Sequence, residues 1–182
     1  MNFTPEQRLI VGLLCDIHKK LEINNEYDAE LISDAILTGN EWAIDLEYGD
    51  LLSSKIDDHR FEFVSDVLQM CTVVEGSYAQ MTDDEKAMIA EGTKFNPEKA
   101  FFGFDGNNES EFVSFARFYV TRINRFPWFS EREFNSHIHS VDTYKRMLRI
   151  FNDVYDPVHG DDHLNAQQII SIMNEKIHPS NR

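Results

Sequence analysis

Leu9, Ile10, Leu13, Leu14, Ile17 and Leu21 recur at three- and four-residue spacing, which is the apolar stripe of a helix. Thr4 stands before it with Pro5 next and Gln7 three residues on, a capping-box start with proline at the first helical position. Val11 and Cys15 widen the stripe beyond what one neighbour would cover, so this helix is expected to be central or at an interface. The spacing predicts a second helix over 28–38, stopped by Gly39. A short third one carries Trp42 and Leu46, is capped by Asn40 and ends near Gly49. A long helix over 58–80 keeps helical period through Phe61, Val64, Val67, Leu68, Cys71, Val74 and Tyr78. Thr82 to Glu85 is a second capping box and opens a helix to about Glu91.

Residues 92–108 read as loop, with Pro97 and two further glycines, Gly103 and Gly106. Phe112, Phe115, Ala116, Tyr119, Val120 and Ile123 then form one face of a helix running to about Asn124, behind the acids Glu109 and Glu111. Residues 125–139 are irregular. Ser140 is expected to cap a helix to about Tyr155, with Val141, Tyr144, Leu148 and Phe151 inward. A polar turn over 157–164 leads to Asn165, which caps a last helix to about Lys176; 177–182 read as a frayed tail. Alternating runs of strand length are missing. The expectation is an all-α protein, one multihelical domain over 1–182, with about seven to eight helices.

The segment from Gly103 to Phe118 is the most distinctive. Gly103, Phe104 and Asp105 are followed by Glu109, Phe112, Phe115, Arg117 and Phe118. This pattern resembles the signature of the YfbU family of bacterial proteins. Thr4 to Ile10 resembles that family's first-helix start, and Val64 to Met70 its long central helix. Phe134-Asn135 and Tyr144 to Leu148 resemble its C-terminal region, and Leu164 to Met173 its last helix. The resemblance implies an all-helical cytoplasmic protein. It implies no activity, because the family brings no established reaction or catalytic residues to carry over.

Composition narrows the classes. The net charge of −15 over 182 residues disfavours nonspecific attraction to nucleic acid or an anionic membrane. No apolar run approaches the length of a membrane span. Asp16 interrupts the run after Leu9 and no small-residue cleavage site follows, so a signal peptide is not expected. Cys15 and Cys71 fall in apolar helical stretches and read as buried hydrophobes, which fits a reducing compartment. Charge is unevenly spread: residues 1–112 carry 24 acids against 8 bases, and residues 113–149 carry 7 bases against 3 acids. Arg117, Arg122, Arg125, Arg132, Lys145, Arg146 and Arg149 are thus the basic zone. Two readings stand for it: a site for phosphate or a carboxylate-bearing partner, or internal pairing with the acidic half or a second subunit.

The chemistry-bearing motifs are few. A Gly-rich phosphate loop, His-Glu-x-x-His, Cys-x-x-Cys and G-x-S-x-G are all missing. His137, His139, His159 and His163 are donors of the right type for zinc, but the spacing fits exposed loops as well, and no cofactor is expected. Arg132 and His137 resemble the Arg-x4–6-His pair of the HEPN ribonucleases, in which histidine does acid–base work and arginine stabilises phosphate charge. Phe134 and Asn135 between them suggest an irregular segment, whereas that pair belongs at a helix start. Phe101, Phe102, Phe104, Phe126, Trp128, Phe129 and Phe134 sit in loops and must enter a core or meet a partner; Phe126, Trp128 and Phe129 are the interface candidates. Two functions of different class follow. The preferred one is a non-enzymatic homodimeric or larger helical module that binds another protein or regulates by association. The other is a phosphate-directed enzyme using Arg132 and His137.

Overall fold

The computed structural model describes residues 3–52, 59–156, 163–178 and 180. Among these the regular structure is helical: α1 Pro5–Lys20, α2 Ala29–Thr38, α3 Trp42–Leu52, α4 His59–Ala79, α5 Asp83–Gly92, α6 Ser110–Thr121, α7 Val141–Val154 and α8 Ala166–Asn174. Two 3₁₀ turns, Pro97–Lys99 and Pro127–Phe129, interrupt the connections. The all-α expectation is met. Several boundaries move: α3 runs on to Leu52, past Gly49, and α6 stops at Thr121. Asn124 and Phe126 both take left-handed φ, of 58° and 52°, which no helix continues through.

The chain divides into two compact units, Met1–Glu62 with Ser114–Glu131, and Phe63–Val113 with Arg132–Arg182. In the first, α1 lies on α2, and α2 meets α3 through Gly39, whose φ of 73° suits glycine. The core is aromatic. Trp42 stacks on Phe115 at 3.8 Å, and Phe118, Tyr119 and Phe61 present their edges or tilted faces around it. The indole N–H of Trp42 donates to Asn40 Oδ1 at 3.1 Å, so the buried nitrogen is satisfied.

In the second unit, Val64, Val67, Leu68, Met70, Cys71 and Val74 are buried along α4, and α8 packs on α5 and α7. Tyr144 of α7 is fully buried against Phe101, Phe102 and Phe104. Its hydroxyl accepts from the Phe102 N–H at 2.9 Å. Phe101, Phe102, Phe104 and Phe134 therefore fold back over their own unit. Phe104 and Asn135 form an isolated parallel bridge, with Phe104 N–H donating to Phe134 O and Ser136 N–H donating to Phe104 O, both at 2.9 Å.

The Gly103-Phe104-Asp105 segment has a structural purpose. Gly103 has φ 81°, and a Cβ there would lie 2.5 Å from Phe134 O. Asp105 accepts from Asn107 N–H and Asn108 Nδ2, and Glu109 reaches across to the start of α7. Here the expected Ser140 cap is corrected. The Ser140 side chain makes no cap; its hydroxyl donates to Glu109 Oε2 at 2.7 Å, and Glu109 accepts the N–H groups of Ser140 and Val141. A carboxylate 31 residues upstream thus does what a serine was expected to do.

Candidate interaction surface

Helix α1 is held by the side opposite its apolar stripe. Thr4 Oγ1 accepts from Gln7 N–H and Gln7 Oε1 accepts from Thr4 N–H, which closes the expected capping box. Arg8 donates to Ile36 O at 2.8 Å and pairs with the buried carboxylate of Glu41. Arg8, Val11, Cys15 and His18 recur at three- and four-residue spacing on this inward side, and Cys15 is its buried residue. The rotation of α1 about its axis is set by these contacts.

That rotation turns the apolar stripe outward. Leu9, Ile10, Leu13, Leu14, Ile17 and Leu21 are each between 53 and 66 % exposed. A surface helix normally shows the reverse arrangement. Scattered exposed aliphatics need no explanation, but five on one helix with a sixth, Leu21, at its C-cap mark a contact surface. Ile10, Leu14, Ile17 and Leu21 follow the four-three-four spacing of a coiled-coil seam, with Leu9 and Leu13 on one flank. On that flank a groove of about 400 Å³ separates α1 from α2, lined by Arg8, Leu9, Gly12, Leu13, Asp16, Ser33, Ile36 and Leu37. A Cβ on Gly12 would meet nothing within 4 Å, and Leu37 on the far wall is 78 % exposed. Of the two expectations for the first helix, central or at an interface, the first is corrected: the stripe lies outside, facing water.

The aromatic interface candidates fare unequally. Trp128 is exposed, Phe126 is half-buried against Tyr119 and Trp128, and Phe129 is fully buried and has no surface to offer. Charge pairing divides the basic zone. Arg122 lies 2.9 Å from Asp34, Arg132 donates to Glu75 at 2.8 Å and to Glu98 O at 3.0 Å, and Arg146 donates to Glu175 O. Lys145 lies 3.4 Å from Asp142 on its own helix, and Lys145, Arg117, Arg125 and Arg149 are all exposed. Among the signature residues Phe104 and Phe118 are buried core members, while Gly103, Asp105 and Glu109 build the turn and the α7 cap.

The chemistry candidates have structural surroundings. Burial raises the pKa of Glu75 against the opposing influence of its hydrogen bond from Phe101 N–H and of Arg132. His137 takes a left-handed φ of 57° and is exposed, and its N–H donates to Asn135 Oδ1. His139 is exposed and lies 3.8 Å from Asp105 Oδ2 and 3.9 Å from Glu109 Oε1, carboxylates already occupied by N–H donors. Among the described residues no group of three or more His, Cys, Asp or Glu side chains is placed to hold a metal ion. His163 is exposed, and His159 lies outside the described residues. Burial drives the Cys71 thiol above its ordinary value, which is inert rather than nucleophilic behaviour. No described helix is long and apolar enough to cross a membrane.

Residues 1–175 match the family model described as the YfbU domain. The UPF0304 protein MJECS11 of Methanocaldococcus jannaschii is 28 % identical over 176 residues, covering 92 % of this chain and 96 % of that one.

Proposed function

We propose that this chain, which belongs to the YfbU family, acts by association rather than by catalysis: a homodimeric helical module, regulatory through what its assembly presents. The outward apolar face of α1 carries the reading. Full burial of an aliphatic side chain contributes about 1.5–3 kcal/mol, so six that are roughly half exposed leave several kcal/mol unclaimed in a lone chain. The surface is built, because Arg8 fixes the helix with this face out. Regulation follows from the same economy: whatever competes for α1 competes with assembly.

The enzyme reading draws no comparable support. Arg132 is engaged by Glu75 and the Glu98 carbonyl, and His137 sits on an irregular, left-handed residue. The test of association is sedimentation equilibrium on the parent and on Leu13→Glu. The parent is expected as a dimer at micromolar concentration and the variant as a folded monomer with parental circular dichroism. A dimer unaffected by Leu13→Glu and by Ile17→Glu would move the contact away from α1.

A further inference from the structure

We infer that the partner of α1 is α1 of a second copy, running antiparallel about a two-fold axis that passes near Leu14. This rests on the associative reading above and adds the identity and orientation of the occupant. The first argument is charge. The first turn of α1 holds Glu6 and its last turn holds His18, Lys19 and Lys20. The complement of a helix that is acidic at one end and basic at the other is the same helix reversed. Antiparallel pairing sets Glu6 of each copy toward the basic turn of the other, and it sets the two helix dipoles head to tail. Parallel pairing would place like charge on like charge at both ends.

The second argument is the occupant's sign. The whole chain is strongly acidic, but α1 holds two acids and three bases. A copy of α1 meets no excess of negative charge there, whereas an anionic membrane meets the remaining acidic surface. The third is self-complementarity. A two-fold interface uses the same patch twice, so residue i meets j and j meets i. The seam Ile10, Leu14, Ile17, Leu21 is apolar throughout its length and therefore fits its own reverse. The groove beside Leu9 and Leu13, floored by Gly12, leaves room for an aliphatic side chain arriving from the second copy.

Orientation is read by single cysteines on the full chain. Near the axis a residue faces its own copy; away from it the copies part by twice the axial offset. Leu21 is seven residues from Leu14, so at 1.5 Å per residue two Leu21 positions lie roughly 20 Å apart along the axis, beyond disulfide reach of about 7 Å. Leu14→Cys is expected to give an oxidised covalent dimer, and Leu21→Cys none. Native Cys15 and Cys71 are buried and leave the parent as an uncrosslinked control. Equal cross-linking by both variants means a parallel pair and overturns the orientation.

Charge reversal supplies an independent arm. Glu6→Lys alone, or Lys19→Glu with Lys20→Glu, is expected to raise the dimer dissociation constant roughly three- to tenfold. The triple reversal is expected to restore it. A parallel pair gives no such rescue. If Leu13→Glu abolishes the dimer while neither cross-link nor rescue follows the pattern, α1 remains the contact and the antiparallel pairing is wrong. If Leu13→Glu leaves the dimer intact, the associative reading of α1 itself falls.

Discussion

At the scale of single residues, the family signature is mostly scaffold. Gly103 is required because its φ is 81° and a Cβ would strike the Phe134 carbonyl. Gly103→Ala is expected to cost about 2–4 kcal/mol in urea unfolding, from strain and the displaced bridge. Glu109 is held by N–H groups of Asp105, Ser140 and Val141 and by the Ser140 hydroxyl. Burial alone would raise its pKa; the donors from Asp105, Val141 and Ser140 outweigh that and lower it. A carboxyl depressed in the folded state stabilises fully above its unfolded value, and that contribution is lost as pH falls through the folded pKa. Glu109→Gln is expected to lose about 2 kcal/mol at pH 7 and to flatten the acid limb of the stability curve. An unchanged acid limb in the variant would show that other carboxylates dominate it. Lys176 is also depressed in the folded state, but there burial disfavours the charged form instead of hydrogen bonds favouring it. Burial pushes it down to about 8, against Cys71 and Glu75, although its amine donates to Lys99 O and sits over the Phe102 ring. Between about pH 8 and 10.5 the unfolded chain binds a proton that the folded chain lacks, so stability rises across that window. Lys176→Met is expected to remove this rise and to be the more stable chain at pH 7 by about 1 kcal/mol. A less stable variant at pH 7 would mean that the ring and carbonyl contacts outweigh burial.

At the scale of elements, the helices were legible because their signals are local. Thr4 and Thr82 announce capping boxes and Asn165 a cap; the side chains close all three, Asn165 as a full box with Gln168. Gly39 ends α2 for the same local reason. The start of α7 was misread because its cap comes from Glu109, and no local pattern around Ser140 points there. The aromatic loops were ambiguous for a similar cause: Phe129 and Trp128 are neighbours with identical local chemistry, yet one is fully buried and the other 56 % exposed. The stripe on α1 was visible as a stripe, but periodicity does not say which way a face turns. The contacts of the other side decide that, with Arg8 bonded to Ile36 O and paired with Glu41 and with Cys15 buried. Gly12 allows the direction to be probed without harm to the helix. A larger side chain there meets open space in a lone chain, so Gly12→Gln is expected to stabilise the isolated fold by about 0.5–1 kcal/mol. Its side chain enters the groove that the second copy uses, so the same variant is expected to weaken the dimer severalfold. Gain of stability with unchanged association would place the groove outside the contact.

At the scale of the whole molecule, two forces oppose each other when copies meet. Each chain carries −15, and all of the acidic excess lies outside the residues of α1 itself. The seam itself is apolar and indifferent to salt to first order, while the Glu6 and Lys19–Lys20 rim contributes a few attractive pairs that salt weakens. Which electrostatic effect wins is a matter of number and range. At 0.01 M salt the screening length is about 30 Å, long enough for most of the acidic excess on one copy to feel the other; at 0.1 M it is about 10 Å, and only the rim remains. Rim pairs are worth less than about 1 kcal/mol each, whereas the repulsion sums over many charges. Dimerisation is therefore expected to tighten as salt rises from about 0.01 M to 0.15 M and then to level off, the reverse of an interface held by ion pairs. Sedimentation velocity across that range reads the shift directly. A dimer that loosens steadily with salt would assign the contact to the charged surface and not to the aliphatic face of α1.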